Sequence, residues 1–208
     1  WAKRTQAVIE GVVRRPQVQT VAVQQHELLL ACDIDNTLTG CRDGARAFAK
    51  WLGREGDRYA FTVATGRSIA EAQRVLAEWD LPTPDTIISS TGTEIWHRSG
   101  SGFTLCEDYA ALIAREWDAA AVRAALEGAN VRFQPVYDQR RWKVSLFGAI
   151  SDVPEIEAQL HQAGALARII PSHEKFIDII PVQAGKAAAI RFEAARRGMS
   201  DDRVIVAG

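Results

Sequence analysis

The stretch Leu28–Thr39, reading Leu-Leu-Leu-Ala-Cys-Asp-Ile-Asp-Asn-Thr-Leu-Thr, constrains the fold more than any other in this 208-residue sequence. The apolar run from Leu28 to Cys32 has the length and polarity of a fully buried strand. It delivers Asp33 and Asp35 to its carboxyl end, with Thr37 and Thr39 just beyond. In an open α/β sheet, ligands bind outside that edge. Alternation along an extended segment puts both carboxylates on one side and Ile34 on the other. Two like charges so close repel unless a cation or a shared proton relieves them. The competing reading is an Asp-rich turn whose side chains cap local backbone groups. An apolar strand feeding two aspartates at this spacing favours a site.

Bulk properties narrow the partners. An apolar content of 47% against 25% charged residues is that of an ordinary globular protein with a full core. A formal net charge of −1 gives no electrostatic case for nucleic acid or an anionic membrane. No uninterrupted apolar stretch reaches membrane-spanning length, and no signal peptide is recognisable. Cys32, Cys41 and Cys106 are too few and too scattered for a disulfide framework or a metal cluster, so a reducing, cytoplasmic setting is expected. The first residue is Trp1 rather than Met, which reads as a piece of a longer protein.

Along the chain, apolar spacing predicts a helix from Trp1 to about Val13, stopped by Arg14-Arg15-Pro16, and then a polar linker to residue 27. An amphipathic crossover helix over Gly44–Glu55 leads to a second buried strand, Tyr59–Ala64. Ala64-Thr65-Gly66-Arg67-Ser68 follows: Thr65 can donate to a phosphate and Gly66 lets its backbone N–H approach one. An ordinary turn capped by Ser68 would use the same residues. Arg67 either reaches a phosphate or faces solvent. A helix over Ile69–Trp79 and a strand over Asp85–Ser89 come next, then Ser90-Thr91-Gly92-Thr93-Glu94, where Gly92 permits a tight turn.

From Leu105 to Pro181 the pattern changes to helix–strand–strand–helix–strand–strand, a compact α+β unit. Its helical part runs from Glu107 to Gly128 with Asp118 as an internal cap. Its strands are Val131–Pro135, Trp142–Phe147, Ala167–Ile170 and Phe176–Ile180. Gly185 then opens a helix with Lys186 in its first turn. A cation there opposes the macrodipole. A bound phosphate reverses the objection, because N–H groups, dipole and ammonium would act on one anion. A last strand covers Arg203–Gly208. His26, His97, His161 and His173 lack ligand spacing, and surface or capping positions are expected for them.

Asp33-Ile-Asp35-Asn-Thr37 resembles the first motif of the haloacid-dehalogenase-like phosphatases, Asp-x-Asp-x-Thr. Thr65-Gly66 and Lys186 resemble their second and third motifs. Ala-Thr-Gly-Arg-Ser, Pro84-Asp85-x-x-Ile88 and Gly92-Thr-Glu-Ile95 narrow the likeness to the sucrose-phosphate phosphatase subfamily. The resemblance implies a doubly wound, mostly parallel, Rossmann-like α/β core over 28–104 and 182–208, with residues 105–181 inserted as a cap. It implies Asp33 as nucleophile, Asp35 as general acid and base, Thr65 and Lys186 completing the catalytic set, and Mg²⁺ held by Asp33 and Asp35. Asp138-Gln-Arg-Arg-Trp-Lys-Val-Ser145 is similar to a cap segment of that subfamily, which makes Gln139, Arg140 and Lys143 expected sugar contacts beside Thr65, Gly66 and Arg67. The substrate expected is a sugar phosphate, sucrose 6-phosphate above all. The family's fourth motif, an acidic loop after the last strand, has no aspartate to serve it by Gly208, so weak Mg²⁺ binding is expected of these residues. Trp1-x-x-Arg-Thr-Gln-x-Val-Ile9 resembles the last helix of a sugar-nucleotide glycosyltransferase. That implies a fused or associated synthase domain and leaves open a non-catalytic, sugar-sensing role.

Overall fold

The computed structural model describes residues 26–127, 129–172 and 174–208. The expected N-terminal helix and linker, with their glycosyltransferase likeness, and His173 lie outside the described residues.

Strand β1 (Leu28–Cys32) is apolar throughout because both of its faces are covered. Leu29 and Ala31 enter one apolar cluster, and Leu30 and Cys32 enter the other. The chain returns through α1 (Arg42–Glu55) to β2 (Tyr59–Ala64), then through α2 (Ile69–Glu78) to β3 (Thr86–Ser89). These two helices bury Ala45, Leu52, Ala72, Val75 and Leu76 on one face of the sheet. A hairpin, β4 (Glu94–Ser99) with β5 (Gly102–Leu105), extends the sheet beyond the point where the sequence pattern was readable. Helix α3 (Glu107–Ala114) then covers the opposite face.

A second unit follows: α4 (Ala119–Ala125), β6 (Arg132–Phe133), β7 (Val144–Phe147), α5 (Val153–Gln162), β8 (Arg168–Ser172) and β9 (Phe176–Ile180). Helix α6 (Lys186–Arg196) and β10 (Val204–Ala207) complete the first sheet, whose order is β10-β1-β2-β3-β4-β5. Pairing is parallel from β10 to β3 and antiparallel at β4 and β5. The second sheet, β6-β7-β9-β8, is antiparallel. The core is therefore a mostly parallel, Rossmann-like sheet with helices on both faces. Its strand order reverses at β1, with β2 on one side and β10 on the other, so Asp33 emerges at the topological switch point.

Packing moves one expected boundary. Tyr109, Ala110 and Ile113 of α3 pack with Leu29, Ile88 and Ala189, so this helix belongs to the core although the cap was expected to start at Leu105. The apolar cluster of the second unit begins with Val122. In that unit Val144, Leu146, Ile177 and Ile179 face α4 and α5. Period-two alternation turns Lys143, Ser145, Phe176 and Asp178 to the other face, which looks back at the core. The strand expected over Val131–Pro135 shortens to Arg132–Phe133, since Pro135 has no N–H to continue a ladder. Asp118 caps α4 as expected, accepting from the N–H groups of Ala120 and Ala121.

Candidate active site

Strand β1 ends at Cys32, and the two carboxylates are gathered by a turn rather than by strand alternation. The Asp33 N–H still donates to the Ala207 carbonyl at 2.9 Å, which fixes its backbone to β10. Asp33 Oδ1 accepts from the N–H of Ile34 at 2.7 Å. Ile34 is fully buried and turns the chain back, while the Thr39 N–H and hydroxyl both donate to its carbonyl at 2.9 Å. Asn36 takes the left-handed conformation (φ 57°) that closes the loop, a region asparagine tolerates well.

Each carboxylate meets one cation. Lys186 Nζ donates to Asp33 Oδ2 at 2.6 Å, from the first turn of α6. Arg67 donates twice to Asp35, from Nε at 3.0 Å and Nη2 at 2.7 Å. Arg67 therefore neither faces solvent alone nor stands free for a phosphate; the hydrogen bond to Asp35 is the main cause that raises its guanidinium above the ordinary value. The side chains of both pairs are between 29% and 43% exposed. Ion pairs of that exposure contribute about 1 kcal/mol or less, so exchanging a partner for an incoming anion costs little.

Thr65 is fully buried, and its hydroxyl accepts from the Arg67 N–H at 3.2 Å, which leaves the hydroxyl proton to donate elsewhere. Gly66 stands at the surface of the cleft. Ser68 caps α2 in a reciprocal capping box with Glu71, so this turn serves both readings of its sequence at once.

The cleft between core and cap has a volume of about 860 Å³, and Asp33, Asp35, Gly66, Arg67 and Lys186 line its floor. That lies within the roughly 300–1,000 Å³ typical of small-molecule sites. Arg140 and Lys143 line its roof. Arg140 donates to the carbonyls of Tyr137 and Gln139. Lys143 is nearly buried and lies 3.3 Å from Asp178. Gln139 stands apart from the cleft. Its amide donates to the carbonyls of Gln134 and Ser145, and its oxygen accepts from the Ser145 N–H and from Arg123. All of its hydrogen-bonding capacity serves the hairpin and Arg123 of α4, so it shapes the roof and does not line it.

Among the cleft residues that escaped the sequence reading, two are charged groups on cap strands, Asp178 and Arg168. Asp178 accepts from Thr91 Oγ1 at 2.6 Å, Ser145 Oγ at 2.7 Å and Lys143 Nζ. Arg168 donates to the Ala184 carbonyl at 3.0 Å, just before α6. Both sit in strands at the phase opposite to the buried residues, Arg168-Ile-Ile and Phe176-Ile-Asp178-Ile-Ile; a polar residue at that phase was the available signal. His161 is exposed in the last turn of α5 as expected, but two other histidines depart from expectation. His26 is buried, and His97 Nε2 lies 2.8 Å from the fully buried Glu193 on α6.

Donors for a metal are oxygens. Among the described residues no three His, Cys, Asp or Glu side chains converge on a metal position. Asp33 and Asp35 carry hard oxygen donors of the kind Mg²⁺ prefers, two toward the six of its octahedron.

The model of the sucrose-6F-phosphate phosphohydrolase family matches residues 26–208. A mannosylfructose-phosphate phosphatase of Agrobacterium fabrum is 30% identical over 186 residues, spanning 86% of this chain and 74% of that protein. Sucrose-phosphatase 2 of Nicotiana tabacum is 27% identical over 175 residues, 79% of this chain and 41% of that protein. This chain spans about half the length of several curated relatives. A solved sucrose-phosphatase of Synechocystis, in complex with sucrose and phosphate, shares the fold with a TM-score of 0.80 at 24% identity, over 87% of this chain and 75% of that one. No helix among the described residues is long and apolar enough to cross a membrane.

Proposed function

The chain belongs to the sucrose-6F-phosphate phosphohydrolase family, and from that premise we propose that it hydrolyses a sugar-phosphate monoester, sucrose 6-phosphate first among them, through a phosphorylated Asp33. The observation that carries this reading is the Lys186–Asp33 contact of 2.6 Å at the switch point of the sheet. It sets a carboxylate nucleophile and a phosphate-binding cation side by side at the floor of a cleft.

An Asp33 carboxylate oxygen attacks phosphorus, and the bond from phosphorus to the sugar oxygen breaks. Asp35, once released by Arg67, takes a proton from solvent and gives it to that leaving oxygen, then takes one from the water that attacks the phosphorylated Asp33 and releases inorganic phosphate. Arg67 is placed to exchange the Asp35 carboxylate for a phosphate oxygen, which frees Asp35 for proton transfer. The Thr65 hydroxyl proton, the Gly66 N–H and the Lys186 ammonium act on the charge of the transferred group. The Asp33 carboxylate and the Asp35 backbone carbonyl would hold Mg²⁺, which supplies further positive charge against the phosphoryl oxygens when bound. The sugar lies under the cap, where Arg140 and Lys143 are among the polar groups that line the roof.

Two disaccharide phosphates follow from the relatives' names, so the test is phosphate release from sucrose 6-phosphate, mannosylfructose phosphate and simple hexose phosphates. The expected result is a kcat/KM at least about tenfold higher for a disaccharide phosphate, from sugar contacts made under the cap. Turnover of hexose phosphates with both disaccharides untouched would reject the substrate assignment, and no phosphate release from any would reject the enzyme.

A further inference from the structure

The turn Ser90-Thr91-Gly92 is the most constrained backbone of the cleft. Its three residues have φ of 51°, 63° and 84° in succession. For the β-branched Thr91 that is an outlier, and such conformations persist where the surroundings over-determine them. What over-determines this one is contact on three sides. Toward the second-motif turn, the Thr91 N–H donates to the Thr65 carbonyl at 3.2 Å, and Thr91 Oγ1 lies against Gly66, 3.8 Å from where a Cβ there would be. Toward α6, a Cβ on Gly92 would stand 2.2 Å from the Gly185 carbonyl carbon and 2.3 Å from the Lys186 nitrogen, so only glycine fits. The Gly92 carbonyl accepts from the Gly185 N–H at 3.2 Å and from the Tyr109 hydroxyl at 2.7 Å. Toward the cap, Thr91 Oγ1 donates to Asp178 at 2.6 Å.

One residue pair thus touches both phosphate-facing elements of the core and the roof of the cleft. We propose that Thr91 is a positioning residue, whose hydroxyl, held by Asp178 of the cap, fixes the backbone of Gly92 and through it the start of α6, so that Lys186 is aligned on Asp33 only when the cap is seated. The inference deepens the phosphatase reading and rests on it for its kinetic consequence, while its structural half stands without it. Two features give the contact its direction. Asp178 is already satisfied within the cap by Ser145 and Lys143, so the cap keeps this acceptor in place whether or not Thr91 is present. Arg168 reaches the Ala184 carbonyl from the same sheet face, which adds a second cap contact at the same helix start. A seated cap therefore braces α6 at its first turn from two points.

The test compares the full chain with Thr91→Val, which keeps the β-branch and loses the hydroxyl, and with Thr91→Ser, which keeps the hydroxyl. Amide hydrogen exchange over residues 185–189 needs no substrate. It is expected to rise about tenfold in Thr91→Val, with Thr91→Ser close to the parent, because local opening follows the contacts that hold a segment. Unchanged exchange in Thr91→Val would overturn the bracing, whatever the enzyme's substrate. With the best sugar phosphate, kcat should fall about tenfold in Thr91→Val with KM within a factor of two, and Thr91→Ser should restore it. In a double-mutant cycle with Asp178→Asn the two losses should not add. A loss in KM alone, additive losses, or faster exchange with unchanged kcat would each overturn the positioning role. A parent chain without phosphatase activity would reject the functional reading and leave the exchange result to judge the bracing.

Discussion

At the first turn of α6, Lys186 reaches Asp33 across the floor of an open cleft. About two turns further along the same helix, Glu193 is fully buried. It accepts from Arg197 at 2.6 Å, from Arg196 at 3.0 Å and from Thr86 at 3.1 Å, with His97 at 2.8 Å. Both clusters pair carboxylates with cations, and they differ in access. The Asp33 and Asp35 pairs are partly solvated and exchangeable, which is what a group that must leave its partner to meet a substrate requires. Glu193 is closed in. Burial works against its charge, and the hydrogen bonds from His97 and Arg196 with the nearby cations outweigh it, holding its carboxyl well below the usual range. One end of the helix is equipped for chemistry, and the other fastens the helix to β3 and β4.

Substitutions can break that contrast. Asp33→Asn should lower the turnover of sugar phosphate by at least about 10³-fold, since an amide is no nucleophile here. The thermal midpoint should hardly move, because a pair so exposed contributes about 1 kcal/mol or less. Glu193→Ala should show the reverse. Removing it leaves Arg197, whose side chain is 5% exposed, as an uncompensated buried cation. A loss of about 3–5 kcal/mol by denaturant titration is expected, with the protein that remains folded keeping activity within a few-fold. A large stability loss at Asp33, or none at Glu193, would erase the distinction.

Much of this was legible in the sequence. Leu28–Cys32 announced a strand covered on both faces, and Gly66, Gly185 and Lys186 of the Thr-Gly and Gly-Lys turns line the same cleft as Asp33. The α+β insertion showed itself through its changed periodicity, but its start did not. Helix α3 follows β5 with no break that the sequence marks, and only its packing in one cluster with Leu29 and Ile88 assigns it to the core. The Arg67–Asp35 pair and the Glu193 cluster were hidden for a different reason. Arg67 with Asp35, and Thr86 and His97 with Glu193, are far apart in sequence, and the neighbouring Arg196 and Arg197 look the same in sequence whether their helix face meets water or a buried carboxylate. Gln139 shows the converse: a polar residue in a motif-like stretch reads as a substrate contact, whereas its amide bonds the hairpin backbone.

Smaller effects sharpen the comparison. Arg67→Lys should cost about tenfold in kcat/KM with little change in stability, since an ammonium cannot reproduce the forked contact to Asp35. Acid should act mainly through Glu193. Its carboxyl titrates lower in the folded chain than the ordinary value of 4.5, so its stabilisation is fully present above that pH and declines as pH falls below it. Urea midpoints measured from neutral pH down to about pH 3 should therefore fall, and Glu193→Gln should flatten the decline. Least of all, thiol labelling of the folded chain at neutral pH should modify Cys41, which is exposed, and spare Cys32, whose thiol burial pushes up to about 11.

The central claim is that the strand tips present Asp33 as the phosphoryl acceptor. Acid-quenching the enzyme during turnover of a sugar phosphate and mapping the phosphorylated peptide by mass spectrometry tests it most directly. The account predicts one labile phosphoryl group on the peptide carrying Asp33, absent from Asp33→Asn. Turnover with the label on another residue, or an Asp33→Asn variant that still turns over, would contradict it.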